Sequence, residues 1–359
     1  MYIKNIWLNN FRNYSFINIE FCKNKTAFIG NNGQGKTNLI EAIGWFAKGS
    51  SFRGSPTEAL IKKGEKSAIL RAEVLNESKL ILLEVEISPY KKNRIQINSK
   101  KSVLTRELTK NFKTTIFSPD DLNLVKGNPG ERRKYFDELM IESSIKNEKT
   151  ILEFKKILKH RNALLKKARG KETLEIKETL EIWDEKFANS ENEITSQRIK
   201  IIQFLTPLIE LFLNSLTKEK NSIYVSYQKS WEAENFQTAL LETRKNDIKQ
   251  GFSTIGPHRD EIVFVLNNLD SRHHASQGEQ RSIALALRLA GHQLIIEKTK
   301  VTPVILLDDV FSELDSTRTT SLVSLLPNTQ TILTSAGDLP VGVKADQCYR
   351  INKGGLIEK

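Results

Sequence analysis

Thr26-Ala27-Phe28-Ile29-Gly30-Asn31-Asn32-Gly33-Gln34-Gly35-Lys36-Thr37 decides the fold. Four strand-forming residues run into a loop with the spacing G-x-x-x-x-G-K-[ST]. From Thr37 to Phe46 the apolar residues Leu39, Ile40 and Ile43 recur at helical spacing. Strand, glycine loop and helix in that order make a phosphate cradle. Glycines let backbone N–H groups wrap a triphosphate without side-chain clash, and the following helix N-terminus adds a favourable dipole. Lys36 is the expected bridge between the β- and γ-phosphates, and the Thr37 hydroxyl the expected Mg²⁺ ligand. The candidate nucleotide contacts are Gly30, Asn31, Asn32, Gly33, Gln34, Gly35, Lys36, Thr37 and Asn38. The competing reading is a glycine-containing turn that fits the pattern by accident, and the strand–loop–helix context argues against it.

Two later stretches complete a site of this kind. Val304-Ile305-Leu306-Leu307 reads as a buried parallel strand, and Asp308-Asp309 emerge at its C-terminal edge, where ligands bind in open α/β sheets. Asp308 is expected to hold Mg²⁺, together with Thr37. Asp309 is placed to orient or deprotonate an attacking water. Lys36, Asp308 and Asp309 are therefore the candidate catalytic residues. Ser276-Gln277-Gly278-Glu279-Gln280 opens a helix that reads on to Thr299. Ser276, Gly278 and Gln280 are candidate nucleotide contacts, because a serine and a glycine at a helix N-terminus can bind an anion. An ordinary helix start with Ser276 as its cap explains the same residues.

The chain has 359 residues, a formal net charge of +12, and 39% hydrophobic and 27% charged residues. These values suit a soluble globular protein, long enough for two domains, with a polyanionic partner, nucleic acid or an acidic membrane surface. A generally basic, lysine-rich proteome is the other source of such a charge. Cys22 and Cys348 have no metal-type or C-x-x-C spacing, which fits a reducing cytosol. The stretch from Ile201 to Leu213 is the most apolar, yet Gln203, Pro207 and Glu210 interrupt it, so no membrane span is expected. The expected location is cytoplasmic.

Short strands are expected at Ile3–Leu8, Ser15–Phe21 and Thr26–Ile29, and a further antiparallel set at Ser67–Val74, Leu80–Ile87 and Arg94–Ile97. From Glu131 to about Glu242 helix formers dominate, with breaks expected at Gly170 and Pro207. Two helices of about 50 residues would reach only ~75 Å, so a compact helical lobe is expected rather than a long coiled-coil arm. Strands return at Ile223–Tyr227 and Glu261–Leu266. The last part alternates Gln280–Thr299, Val304–Leu307, Thr317–Leu325 and Thr331–Thr334 as helix, strand, helix and strand. The expected architecture is an α/β P-loop ATPase head with mixed β-sheets, built from 1–128 and 250–359, into which a helical lobe, 129–249, is inserted.

Basic clusters mark candidate DNA contacts. Lys155, Lys156, Lys159, Arg161, Lys166, Lys167 and Arg169 crowd one stretch of the helical block. Such clusters hold phosphates without reading sequence. Glu172, Glu175, Glu178 and Glu181 follow, so a solvated mixed-charge helix face competes with that reading. Lys91, Lys92, Arg94, Lys100 and Lys101 surround a β-turn, and Arg132, Arg133 and Lys134 form a third group, of which Arg132 and Arg133 can instead be tied into the lobe junction. Gly256-Pro257-His258-Arg259-Asp260 reads as an interlobe brace more readily than as a DNA contact, because Arg259 and Asp260 can pair with neighbours. Arg53 can reach a nucleotide or lie on the surface. No aromatic-interleaved basic motif of the base-stacking type is present, which favours duplex backbone contact.

Glycine loop, S-x-G-x-Q, D-D and Ser312-Glu313-Leu314-Asp315 follow one another as in the ATP-binding-cassette superfamily and its chromosome-maintenance branch. Within it the whole chain resembles the RecF family of bacterial replication and repair proteins. The resemblance rests on Leu8-Asn9-Asn10-Phe11-Arg12-Asn13-Tyr14, on Phe117 to Leu122, and on Gly127 to Arg133. It continues through Lys159-His160-Arg161-Asn162-Ala163-Leu164-Leu165-Lys166, Gly256 to Asp260 and Asp308 to Asp315. It implies a weak, DNA-dependent ATPase using ATP and Mg²⁺. It also implies an ATP-dependent head-to-tail homodimer in which Ser276 and Gly278 of one copy meet the γ-phosphate held by Lys36 of the other. The implied partners are double-stranded DNA and single-strand–duplex junctions, RecR, and RecO and RecA downstream. Asp309 stands where many relatives of the superfamily carry glutamate, which suggests slow turnover. Thr334 and Ser335 stand at the place of a histidine switch. A structural chromosome-maintenance (SMC-like) head is the alternative, although this chain lacks the hundreds of heptad residues that class needs. In a transporter ATPase the motifs lie closer together than the roughly 240 residues between Lys36 and Ser276.

Overall fold

The computed structural model describes residues 1–76, 78–102, 105–168 and 173–358. Arg169, Gly170 and Glu172 lie outside the described residues. The chain divides into two compact units, one comprising Met1–Pro119, Ser215–Thr217 and Lys300–Lys359, the other Asp120–Asn214 and Lys218–Thr299.

The first unit is built on two six-stranded sheets. One is an antiparallel sheet of β1 (Tyr2–Phe11), β2 (Tyr14–Glu20), β4 (Ala68–Asn76), β5 (Lys79–Ile87), β6 (Arg94–Ile97) and β7 (Lys100–Ser102), in the order β2-β1-β4-β5-β6-β7. The other contains β3 (Lys25–Ile29), β8 (Thr114–Phe117), β12 (Val304–Leu307), β13 (Thr331–Ser335), β14 (Gln347–Asn352) and β15 (Gly355–Glu358). Its order is β15-β14-β3-β13-β12-β8, parallel except for the β14–β15 hairpin. Helix α1 (Lys36–Lys48) leaves β3 through the glycine loop and shares one core with both sheets, in which Ile6, Leu8, Phe28, Ile40, Phe46, Leu70 and Leu306 pack together. Its Leu39, Ile40 and Ile43 are buried as the spacing predicts, and so are Glu41, Trp45 and Phe46. Gly44 packs closely here: a Cβ would lie 2.9 Å from Ile116 Cδ1, and that side chain would have to shift. Short helices α2 (Thr57–Leu60) and α3 (Thr105–Asn111), and then α11 (Ser316–Leu325), complete the unit.

The second unit is mainly helical: α4 (Asn123–Lys126), α5 (Pro129–Ser143), α6 (Ile145–Ala168), most of α7 (Leu174–Thr217), α8 (Phe236–Gln250), α9 (Ser271–His274) and α10 (Gln277–Thr299). It also holds a small antiparallel sheet of β9 (Ile223–Gln228), β10 (Glu261–Leu266) and β11 (Leu269–Asp270), in the order β11-β10-β9. The expected division at 129 and 249 therefore differs from the packed one. β10 pairs along its whole length with β9. Tyr135 of α5 donates its hydroxyl to the Leu287 carbonyl of α10 at 3.1 Å and lies beneath the Arg288 guanidinium, 4.8 Å from its ring centre. Those contacts tie residues 261–299 to the helical unit.

Pro207 was expected to break the helix, yet α7 continues through it. A proline inside a helix costs roughly 3 kcal/mol, and burial of Ile201, Ile202, Leu205, Ile209 and Leu213 along one stripe offsets that cost. By length and composition α7 could cross a membrane, its most apolar window having mean hydropathy 1.4. The stripe, with Gln203 and Pro207 exposed between its members, is the amphipathic pattern of a helix covering a core.

Candidate functional site

Glycines shape the loop between β3 and α1. Gly30, Gly33 and Gly35 have φ of 150°, 78° and 117°, backbone that L side chains rarely adopt. A Cβ at Gly30 would stand 2.5 Å from the Ile351 carbonyl oxygen, and one at Gly35 2.6 Å from Asn13 Nδ2. The loop is clamped from two sides. Tyr14 donates its hydroxyl to the Gly35 carbonyl at 2.9 Å, and Asn13 Nδ2 donates to the Gln34 carbonyl at 2.9 Å. From the β14–β15 turn, Lys353 N donates to Gln34 Oε1 at 2.6 Å and Gly354 N to the Gln34 carbonyl at 3.2 Å. Asn38 is also held here, its Nδ2 donating to Asn13 Oδ1 at 2.9 Å. Asn31, Asn32 and Gly33 remain exposed at the tip.

Lys36 is buried, and its Nζ donates to the carbonyls of Gly30 at 2.6 Å and Asn31 at 2.8 Å. Burial pushes its ammonium below the usual lysine value, against the pull of the Asp309 and Asp308 carboxylates. Those carboxylates follow β12, which lies between β13 and β8 in the parallel part of its sheet. Thr37 Oγ1 donates to Asp308 Oδ1 at 2.9 Å, although the residues are 271 positions apart. Burial raises the Asp308 carboxyl above its ordinary value, while the hydroxyls of Thr37 and Thr334 and the charge of Arg53 draw it back. Asp309 has left-handed backbone, φ 50°, and its Oδ1 is buried without a hydrogen-bond partner among the described residues.

Arg53 stands at the edge of this group, half-exposed, its Nη1 3.9 Å from Glu41 Oε2. Glu41, fully buried on α1, accepts from Arg12 Nε and Nη2 at 2.7 Å each and from Ser51 Oγ at 2.5 Å. Sequence reasoning assigned no role to Asn13, Tyr14, Glu41 or the β14–β15 turn. Asn13 and Tyr14 lie inside the N-terminal motif, so a signal was present for them.

Ser276 and Glu279 form a reciprocal capping box at α10. Ser276 N donates to Glu279 Oε2 at 2.7 Å, and Glu279 N donates to Ser276 Oγ at 3.3 Å. Ser276 is exposed and Gly278 partly so. Gln280 is buried, and its Nε2 donates to the carbonyls of Ser271, Arg272 and Ala275 at 3.1, 3.3 and 3.2 Å. Through Nε2 it braces the α9–α10 turn. In the last loop Asp315 caps α11, accepting from Arg318 N at 2.8 Å.

The lysines of α6 lie on the surface. Lys155, Lys156, Lys159, Lys166 and Lys167 are exposed, and at about 100° per residue they share one face. Arg161 does not belong with them and is corrected here: it is fully buried, its Nε 2.7 Å from Asp184 Oδ1 and its Nη1 2.8 Å from Asp247 Oδ2. Phe154, Ile157, Leu165 and Ala168 occupy the same buried stripe of the helix, which turns position 161 inward. Arg132 and Arg133 are tied down as well, to Glu261 Oε1 at 2.9 Å and to the Asp260 carbonyl at 2.7 Å. Gly256 to Asp260 is a brace: Asp260 accepts from Tyr227 Oη at 2.5 Å and from Ser230 Oγ at 2.8 Å. Lys91, Lys92, Arg94, Lys100 and Lys101 are exposed, Lys91 pairing with Glu86 at 3.2 Å.

The donor set fits a nucleotide with its metal. At Gly30 and Gly35 the cradle leaves no room for a Cβ, and a hydroxyl and a carboxylate 2.9 Å apart offer Mg²⁺ the hard oxygens it prefers. The family model described as the RecF/RecN/SMC N terminal domain matches residues 2–355. The DNA replication and repair protein RecF of Streptomyces avermitilis is 37% identical over 99% of both chains, and that of Clostridium acetobutylicum 34% identical over 100% of both. The chain belongs to the RecF family. Among solved structures, the recombination mediator protein RecF–ATP of the RecFOR pathway superposes with a TM-score of 0.91 at 31% identity, covering 100% of this chain and 97% of that one. An SMC head bound to the C-winged helix domain of ScpA, at TM-score 0.60 and 18% identity over 100% and 98% of the two chains, shares the fold. The RecF-family reading thus prevails over the SMC-like alternative, and the expected α/β ATPase-head architecture is the one observed.

Proposed function

We propose that this RecF-family chain is an ATP-gated DNA-binding switch in replication and recombinational repair. The observation that carries the reading is the 2.9 Å bond between Thr37 and Asp308, which joins the glycine cradle to the carboxylate pair. Lys36 and the N-terminal end of α1 would hold the β- and γ-phosphates, and Thr37 and Asp308 would hold Mg²⁺. ATP supplies the γ-phosphoryl group whose transfer to water resets the switch. Asp309 orients that water and takes its proton. Its carboxylate, one methylene shorter than glutamate, makes turnover slow. In the head-to-tail homodimer, Ser276 and Gly278 of the second copy face the γ-phosphate. Ser276 is suited to this because its capping box leaves it at the exposed tip of α10.

The exposed lysine face of α6 supports binding to the backbone of duplex DNA beside single-stranded gaps. Family resemblance adds RecR as partner, with RecO and RecA filament loading downstream, stimulation of hydrolysis by DNA, and a cytoplasmic, nucleoid-associated setting.

Fluorescence anisotropy on a labelled gapped duplex tests the switch. Tight binding is expected with ATP, and weak binding with ADP or with Lys36→Met in ATP. Replacing Lys155, Lys156 and Lys159 by alanine is expected to weaken binding uniformly and to lower the log–log salt slope by about 0.9 for each phosphate that the protein then leaves unneutralised. Equal binding in all nucleotide states would end the gating model, and an unchanged slope would remove the α6 face from the interface.

A further inference from the structure

We propose that Thr334 is the positioning residue of the carboxylate pair, setting the direction of Asp308 and Asp309 together through one hydroxyl. The inference rests on the reading of Asp308 as metal ligand and Asp309 as water-orienting base. Thr334 lies near the end of β13, directly beyond Leu333, which pairs in parallel register with Leu307. That register brings its side chain level with Asp308. It is fully buried. Its Oγ1 donates to Asp308 Oδ1 at 2.9 Å and accepts from Asp309 N at 2.9 Å. The Leu307 carbonyl stands farther off, at 3.5 Å. A hydroxyl has one proton to give and lone pairs to receive, so the two short bonds use it in both roles at once.

Each bond has a separate consequence. The donated bond joins that of Thr37 on the same oxygen, Asp308 Oδ1, and so fixes the plane of the carboxylate. The accepted bond holds the amide of Asp309 where the backbone turns left-handed, φ 50°, a conformation few non-glycine residues adopt. Backbone direction at that point decides where the Asp309 side chain leaves the chain. A hydroxyl in this place acts on the carboxylate pair from a fully buried position.

Thr334→Val keeps the shape and removes the hydroxyl, whereas Thr334→Ser keeps the hydroxyl. Hydrogen exchange followed by mass spectrometry on the nucleotide-free protein is expected to show faster exchange, by about fivefold, in the peptide holding the Asp309 amide of the valine variant, with other peptides unchanged. Steady-state hydrolysis by that variant is expected to lose about tenfold or more in kcat with little change in KM. Binding of a fluorescent ATP analogue should persist, and serine should restore both exchange and kcat. Unchanged exchange at Asp309, wild-type kcat in the valine variant, or no rescue by serine would overturn the proposal. Full turnover in Asp309→Asn would instead remove the reading beneath it, and this role with it.

Discussion

Asp309→Asn is expected to bind ATP as the wild type does and to hydrolyse it about 10²–10³-fold more slowly. The substitution preserves shape, and asparagine is at ease in the left-handed backbone that position 309 requires. The amide cannot take a proton, and that loss should fall on kcat rather than on KM. Asp308 and Thr37 are untouched, so nucleotide affinity should hold. If hydrolysis opens an ATP-stabilised dimer, as proposed above, the variant's dimer, followed by light scattering, should outlive that of the wild type. Phosphate release within threefold of the wild-type rate would show that another group handles the attacking water.

Arg161→Met is expected to destabilise the second unit by about 3–5 kcal/mol, the usual cost of breaking a buried ion pair from one side. The guanidinium is the hub of a buried network. It binds Asp184, Asp247 and Ser253 Oγ, the last at 2.7 Å, and lies over the Phe187 ring. Arg244 Nη2 holds the other oxygen of Asp184 at 2.8 Å, while Asp247 Oδ1 accepts from Thr254 N at 2.9 Å and Thr254 Oγ1 at 2.6 Å. Methionine fills the volume but leaves Asp247 and part of Asp184 buried without their countercharge. A fall in melting temperature on the order of 10 °C is expected for a unit of this size, whereas Lys159→Ala on the exposed face should stay within about 0.5 kcal/mol of wild type. If both variants melt alike, Arg161 is not a structural hub. DNA binding by the methionine variant, measured below its melting point, should match wild type.

The contrast between these residues shows what a sequence can carry. The nucleotide loop was legible because its chemistry is local: positive φ demands glycine, and phosphate and metal demand a lysine and a hydroxyl at fixed offsets from them. β12 was legible down to its ends, since an apolar run that stops at paired acids has one sensible place in a parallel sheet. Arg161 was misplaced because charge was read by composition. Its position, four residues after Ile157 and four before Leu165, puts it on the buried stripe, and that periodicity was available. The unit boundaries were legible on one side only: the second unit, expected from 129, begins at Asp120, but it runs to Thr299 rather than to 249. They follow from β9 choosing β10, and from α5 packing on α10, both of which are tertiary choices. The clamp of Lys353 and Gly354 on Gln34 is made by backbone groups more than 300 positions away in the chain, and backbone groups leave no mark on composition.

The strand order also sets a timetable for biosynthesis. Among the described residues β3, which leads into the phosphate loop, pairs with β13 and β14, and both are translated long after it. Until they leave the ribosome, the early strand has nothing to zip against and Gln34 has no turn to rest on. Nascent chains stalled before Thr331 should therefore fail to bind immobilised ATP, and chains released after Asn352 should succeed; capture of the stalled chains would show that the loop forms alone. A nucleotide switch wired in this way stays silent while it is being made, because the polypeptide cannot be armed before its late strands arrive.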